Sequence, residues 1–443
     1  MSKAMNLEAV ETLHTPLCSE LDPSLFPKTT ITSTKVIING SIENLQYLLK
    51  EYGITCRFNM LTREDEINIP GIKFTPDNQA NCAIQHIINL CINNNVPKGD
   101  VVGHLKAIAD RNAYNPVMEW IESKEWDGKD RLSTVIDGVK VPASYEEVRD
   151  LYLKKWFMCA VGMLNNGLNG EILDYEGILV FQGDQGLGKT MWFKSLVPKD
   201  LRHLIRDGLE LDLNNKDSRM TFASHWLVEL GELDATFKKS EISALKAFTT
   251  MSSDKIRRPY DRVDTVLYRR TVMFASVNDE QFLQDSTGNR RFWCLPTTGL
   301  SMPEDFDAQQ FWAQVKSELE NNGGAISKPW FIVGDEAKKR DEANSLFSVS
   351  DPVEESLMNH IPLTSTNYEF RGTATAFCKL IGIQNPSRPQ LSNVKKILKS
   401  HGCEEVRTGN GRFVITPYPS KVDNDLFRDL GFERLVAGNW VRV

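Results

Sequence analysis

No stretch of this chain is apolar over the roughly 18 residues that a membrane-crossing helix needs, and its first residues lack the basic-then-apolar layout of an export signal. Neither a membrane-embedded nor a secreted role is therefore expected. Cysteine is dispersed: Cys18, Cys56, Cys82, Cys91, Cys159, Cys294, Cys378 and Cys403 form no C-x-x-C pair, and the seven histidines fall in no metal-ligand spacing. This argues against a disulfide framework or a zinc module and leaves reduced, buried thiols as the expectation. Positive charge is not in excess, the formal net charge being −7. A protein coated with nucleic acid is thereby disfavoured, whereas DNA contact through a local patch or a pore is not. Repeats and low-complexity tracts are missing too. What remains is an ordinary globular composition, 41% hydrophobic and 25% charged, in 443 residues, enough for two to four domains with a large core.

The strongest local signal is Gly183-Asp184-Gln185-Gly186-Leu187-Gly188-Lys189-Thr190, which fits G-x-x-x-x-G-K-[ST]. An apolar, strand-like run, Gly177 to Gln182, precedes it, and Met191 to Leu196 can open a helix after it. Glycines let successive backbone N–H groups turn toward phosphate oxygens, and a helix N-terminus adds the positive end of its dipole. The pattern predicts an ATP cradle in which Lys189 reaches the β- and γ-phosphates and the Thr190 hydroxyl ligates Mg²⁺.

A phosphate loop alone does not say what the energy does; the segments after it carry that information. Trp226 to Glu232 is an apolar strand ending in acids, where one carboxylate can hold Mg²⁺ and another can orient the attacking water. Glu229 is assigned to the metal side and Glu232 to the water, with the reverse also compatible. Val272 to Asn278 is a second such strand, and its terminal Asn278 suits a position beside the γ-phosphate. Arg290 and Arg291, next to Phe292 and Trp293, suit an arginine finger, which usually acts in trans on a neighbour's nucleotide and so implies a ring. Between the two strands lies a basic tip with Lys255, Arg257, Arg258, Tyr260 and Arg262, a composition that grips phosphates and stacks bases.

Periodicity divides the remainder. Ser41–Tyr52 has helical spacing, residues Asn78 to Ala113 hold two helical patterns split at Asn93–Pro97, and Tyr145 to Leu164 reads as one helix. Helices are also expected over Ala308–Glu320 and Asp335–Val349, and the first 35 or so residues and the last 25 or so carry little pattern beyond a packed tail. Between Thr364 and Thr416 the local net charge is +5. There Thr373–Leu380 and Leu391–Ser400 read as helices and Thr408-Gly409-Asn410-Gly411 as a hairpin turn. Two helices and a basic hairpin predict a winged-helix-like module, with Lys395, Lys396 and Lys399 on the helix that enters a DNA groove.

The order of these motifs resembles the virulence-associated E family, superfamily 3-like helicases of phages, prophages and pathogenicity-island satellites. The residues that carry the resemblance are Gly183–Thr190, the E-L-G-E-L-D run Glu229–Asp234, Lys246 with Arg257-Arg258-Pro259-Tyr260, the strand ending at Asn278, and Asp285 with Thr287-Gly288-Asn289-Arg290-Arg291-Phe292-Trp293. Asn115-Pro116-Val117 and Trp126-Asp127-Gly128-Lys129-Asp130-Arg131-Leu132 look like the family's lead-in. The resemblance implies an α/β fold of AAA+ type, a hexameric ring, ATP and Mg²⁺ as cofactors, DNA unwinding in the 3′-to-5′ direction, and a cytoplasmic location in a bacterial host. Many relatives carry an N-terminal primase; no D-x-D or zinc-ligand set is found before Asn115. Residues 1–114 are therefore expected to serve assembly or to bind a partner such as a separate primase. Residues 115–350 would form the ATPase and 351–443 the DNA-binding module. The alternative is a DNA-associated ATPase that loads or remodels proteins without processive unwinding. A small-molecule kinase would leave the paired arginines and the basic tip unexplained, and a non-hydrolysing nucleotide switch requires that hydrolysis be absent.

Overall fold

The computed structural model describes residues 20–168, 170–231, 245–257, 264–279, 282–283, 289–347, 352–363, 365, 367–409, 411–419 and 424–443. The chain divides into two compact units, one ending at Phe347 and the other running from Ser348 to Val443.

The first unit opens with two short antiparallel strands, β1 (Thr29–Ile31), where the sequence carries little pattern, and β2 (Val36–Ile38), within Thr34–Gly71, which reads as strands and a helix. Helix α1 (Ile42–Glu51) is capped by the Ser41 hydroxyl, which accepts from Asn44 N. The hairpin β3 (Thr55–Asn59) and β4 (Glu64–Asn68) follows, then α2 (Gln79–Asn93) and α3 (Val101–Arg111), split as the Asn93–Pro97 break predicts. These elements enclose their own apolar cluster, including Leu48, Cys56, Ile87 and Ile108.

The larger core begins with α4 (Pro116–Ile121), capped by Asn115, and α5 (Leu132–Asp137), followed by β5 (Val139–Lys140). Helix α6 (Glu146–Gly162) leaves Glu147, Asp150 and Lys154 exposed along one face of its first half, but from Trp156 onward it is buried on every face and enters the interior. Against it stands a five-stranded sheet whose every pair is parallel, in the order β12-β6-β11-β8-β7. Its strands are β6 (Ile178–Gln182), β7 (Ile205–Leu209), β8 (Leu227–Leu230), β11 (Val272–Val277) and β12 (Phe292–Pro296). Helix α7 (Lys189–Ser195) follows β6, and α8 (Lys216–Ala223) lies between β7 and β8. The interior strands read as near-continuous apolar runs, broken only by Glu229 in β8, Ser276 in β11 and the terminal Gln182 of β6, as expected where both faces are covered. From β6 the chain crosses to β7 at the far edge, and later passes from β11 to β12 on the other side of β6. The winding direction thus reverses at β6, and in open parallel sheets ligands bind beyond the carboxyl ends at such a reversal.

Between β8 and β11 is inserted an antiparallel hairpin, β9 (Ser253–Ile256) and β10 (Thr265–Tyr268). The short pair of β13 (Gly299–Leu300) with β5 and the helices α9 (Ala308–Asn321) and α10 (Asp335–Ser345) complete the unit. Three glutamines of α9 explain the lead-in loop. Gln309 Nε2 donates to Ile121 O at 2.7 Å, Gln310 Oε1 accepts from Asp127 N at 2.7 Å, and Gln314 Oε1 accepts from Arg131 N and Leu132 N at 2.7 and 2.9 Å. The loop's backbone is satisfied by buried side chains in place of water.

The second unit runs α11 (Pro352–His360), β14 (Phe370–Gly372), α12 (Ala374–Leu380), α13 (Arg388–Ser400), β15 (Glu404–Thr408) and β16 (Gly411–Thr416). The two helices and the hairpin lie where the sequence places them. The tail departs from expectation: α14 (Asn424–Asp429), β17 (Glu433–Val436) and β18 (Asn439–Arg442) extend the sheet to the antiparallel order β15-β16-β14-β17-β18. Aromatic stacking accounts for this, since Phe432 at the entry to β17 lies 4.9 Å from Phe370 of β14 with nearly parallel rings.

Candidate functional site

The segment Gly183–Thr190 leaves the carboxyl end of β6 and enters α7 at Lys189. Gly183 N donates to Val277 O at 3.0 Å, tying the loop to β11, and a Cβ at this position would sit 2.3 Å from Thr297 O. Gly188 precedes the helix with φ of 78°, in the left-handed region. A Cβ built at Gly186 or Gly188 would meet nothing within 4 Å, so the loop's concave side is open. The recess there has a volume of about 380 Å³, with Lys189, Thr190, Ser276 and Asn278 among its walls.

Lys189 is buried. Its Nζ donates to Gly183 O, to Asp184 O at 3.2 Å, to Val277 O at 3.3 Å and to Asn278 Oδ1 at 3.1 Å. The lysine and the asparagine singled out in the sequence are thus direct neighbours although 89 residues apart. In the first turn of α7, Thr190 Oγ1 donates to Glu229 Oε1 at 2.8 Å. Ser276 Oγ donates to the same oxygen at 2.7 Å. Glu229, from β8, is only 6% exposed, and these two hydroxyls fix one of its oxygens at the mouth of the loop. Ser276 was not anticipated. Its signal is a lone hydroxyl in the otherwise apolar β11, two residues before Asn278 and therefore on the same side of the strand.

The residues fit a magnesium nucleotide. Open glycines, an ammonium and a hydroxyl–carboxylate pair supply an anion cradle beside a hard oxygen-ligand position. Among the described residues no group of three or more His, Cys, Asp and Glu could hold a metal ion, so any cation here would also need ligands from substrate and water.

Arg290 and Arg291 lie elsewhere. They form a short 3₁₀ turn entering β12, which pairs with β6 so that Phe292 faces Ile178 and Pro296 faces Gln182. The arginines therefore stand at the amino end of the sheet, about 16 Å by strand rise from the loop that follows Gln182. Asn344 of α10 holds that turn by donating to Asn289 O at 3.0 Å and Phe292 O at 2.7 Å. Arg291 is half-buried, its Nε has no hydrogen-bond partner among the described residues, and burial followed by the charge of Arg290 holds its guanidinium below the ordinary value.

The hairpin β9–β10 carries Lys255 and Arg257 exposed, with Asp254 and Ile256 turned inward. It rises from the same amino end, since β10 runs directly into β11. Glu232, Arg258, Tyr260 and Arg262 lie outside the described residues. In the second unit, Lys396 and Lys399 of α13 are exposed, while Lys395 Nζ donates to Glu405 Oε1 of β15 at 2.5 Å.

Among the described residues no helix is long and apolar enough to cross a membrane. Solved structures similar to this chain include the A form apo structure of the NrS-1 C-terminal region, at 14% identity over 84% of this chain and 98% of that one, with a TM-score of 0.37. The apo structure of the NrS-1 C-terminal region (305–718) matches at 13% identity over the same shares, with a TM-score of 0.35. No curated protein matches. The model of the virulence-associated protein E-like domain matches residues 121–348, from the end of α4 past α10, which is just over half of the chain. By that match the chain belongs to the virulence-associated protein E-like domain family.

Proposed function

We propose that this chain is an ATP-driven, ring-forming DNA helicase that serves replication of a phage or another mobile element in the cytoplasm of its bacterial host. The observation that carries the reading is the convergence of Lys189, Thr190, Glu229, Ser276 and Asn278 at the carboxyl end of β6.

Bound Mg²⁺ would neutralise charge on the phosphate oxygens. Thr190 Oγ1 and Glu229 are the groups to hold it, one directly and the other through water. Lys189 would exchange its carbonyl acceptors for phosphate oxygens, pairing its ammonium with anionic rather than neutral acceptors. Asn278, which already touches Lys189, is placed to orient the attacking water, with Glu232 assigned to polarise it.

The arginines stand too far from their own chain's loop to touch its nucleotide, which supports a finger acting on a neighbouring subunit in a homo-oligomer, a hexamer by the family resemblance. The basic hairpin is the segment for single-stranded DNA. In the second unit the order helix, strand, helix, helix, hairpin supports a winged-helix-like module, with α13 as its groove helix.

The test is strand displacement on a forked duplex by the full chain, with Lys189→Ala as control. ATP-dependent displacement by the wild type alone is expected. DNA-dependent hydrolysis without displacement would instead support a remodelling ATPase.

A further inference from the structure

The root of the β9–β10 hairpin carries an arrangement that the nucleotide site does not use. Asn166 Nδ2 donates to Ser252 O at 2.9 Å and to Arg269 O at 2.8 Å, so one buried amide holds the chain entering β9 and the chain leaving β10. Arg269 and Arg270 follow β10 in the link to β11, and their side chains take different partners. Arg269 turns into the hairpin. Its Nε and Nη2 donate to Asp254 Oδ2 at 3.0 and 2.9 Å, and its guanidinium lies 3.5 Å from the centre of the Phe248 ring.

Arg270 turns the other way and is only 4% exposed. Its Nη1 donates to Met60 O at 3.1 Å, and its Nε has no partner among the described residues. Burial alone pushes its guanidinium down to about 10, no neighbouring charge contributing. A buried guanidinium without a carboxylate is costly, and an apolar side chain of similar volume would serve packing better. The acceptor it reaches explains what packing does not.

Met60 belongs to the turn between β3 and β4, and that turn answers in kind. Arg63, at φ of 67°, donates through Nη2 to Tyr268 O at the end of β10. The turn is stiff: Asn59 Oδ1 accepts from Leu61 N at 2.9 Å and Thr62 N at 3.1 Å, and Met60 N donates to Tyr114 O at 2.9 Å. Leu61, at its apex, is fully buried in the large core rather than in the cluster of the N-terminal elements. The N-terminal elements therefore plug into the ATPase core beside the hairpin root, with one arginine donated in each direction.

We propose that Arg63 and Arg270 are positioning residues that lock the Met60–Arg63 turn to the root of the β9–β10 hairpin and so fix the direction in which strand β9 presents Lys255 and Arg257 to a DNA strand. The DNA part rests on the helicase reading; the mechanical part does not.

The experiment uses the full chain as wild type, Arg63→Ala, Arg270→Ala and Arg270→Lys. Amide exchange of Ser253–Ile256 and Thr265–Tyr268 is measured without DNA, and ATP hydrolysis is titrated with oligo-thymidylate. The two alanine variants should exchange faster over these strands. They should also need about tenfold more oligonucleotide for half-maximal stimulation, with basal and saturated rates unchanged. Arg270→Lys, whose ammonium can still donate to Met60 O, should recover part of both. Unchanged protection overturns the lock, and so does loss of basal hydrolysis in parallel in the alanine and lysine variants. Wild-type hydrolysis indifferent to the oligonucleotide overturns the DNA role, and the exchange result then decides the mechanical part alone.

Discussion

Thr190 and Glu229 meet at 2.8 Å between the first turn of α7 and the end of β8, 39 positions apart in the chain. Ser276 reaches the same carboxylate oxygen from β11, so three elements converge on one acceptor. On the proposed reading, the hydroxyl and the acid that would share a cation are already in contact. Glu229→Gln retains an acceptor for both hydroxyls but removes the charge. It should lower ATP hydrolysis on the order of 10²-fold and raise the Mg²⁺ needed for half-maximal rate. Ser276→Ala, which removes one hydrogen bond and no charge, should cost only about tenfold. Steady-state hydrolysis across a Mg²⁺ titration checks both, and equal losses in the two variants would contradict this division of roles.

The separation of Arg290 and Arg291 from their own phosphate loop leads to a mixing experiment. Lys189→Ala and the double variant Arg290→Ala/Arg291→Ala should each be nearly inactive, the finger being worth about 10³-fold or more. If the proposed trans finger holds, the mixture should recover activity, because a subunit with an intact loop would then sit beside one with intact arginines. Activity that stays at the level of the separate variants would place the arginines in the same site as the loop.

A stability prediction concerns the lead-in. Gln314 satisfies Arg131 N and Leu132 N and donates to Asp130 Oδ1 at 2.8 Å. Gln314→Leu fills the space but orphans the Arg131 and Leu132 N–H groups, each worth about 1–3 kcal/mol when buried, while the exposed Asp130 keeps its bond from Ser133 N. A loss of about 2–4 kcal/mol is expected in denaturant unfolding, the loop end being partly open to water. A change below about 0.5 kcal/mol, the range of an ordinary surface substitution, would show that water replaces the side chain.

Burial holds the His225 imidazole below its ordinary value of 6.5; the Thr221 carbonyl, accepting from Nδ1 at 2.7 Å, opposes this, and the charges of Arg206 and His203 add to it. A histidine that is more acidic folded than unfolded adds stability that is complete above the unfolded value and is lost as pH falls through it toward the folded one. The denaturation midpoint should therefore decline as pH drops below about 6.5, and His225→Gln should flatten that decline. An identical pH profile in the variant would assign the decline to other groups.

What could be read in the sequence was local. The loop Gly183–Thr190, the helix boundaries at Ser41 and Tyr52, and the Asn93–Pro97 break follow from turn chemistry and caps confined to a few neighbouring residues. The pairing of Lys189 with Asn278 could be guessed because the loop before Lys189 and Asn278 both leave the carboxyl ends of strands in one sheet. Ser276 was missed because one hydroxyl in an apolar strand has several ordinary explanations. The staples of Arg63 and Arg270 were illegible for a different reason: they join positions more than 200 residues apart, and their acceptors are carbonyls, which every residue has. Strands β17 and β18 escaped because four-residue strands at a sheet edge alternate too briefly to rise above a tail, and it is Phe370 that recruits them. Leu61, in the turn between β3 and β4, packs in the larger apolar core, a contact that no short window of the sequence announces.

The most direct measurement is ATP hydrolysis with and without single-stranded DNA, alongside solution mass, for wild type and Lys189→Ala. The account predicts a multi-subunit particle whose hydrolysis rises with DNA and is lost in the variant. A monomer that hydrolyses ATP at the same rate with or without DNA would contradict it.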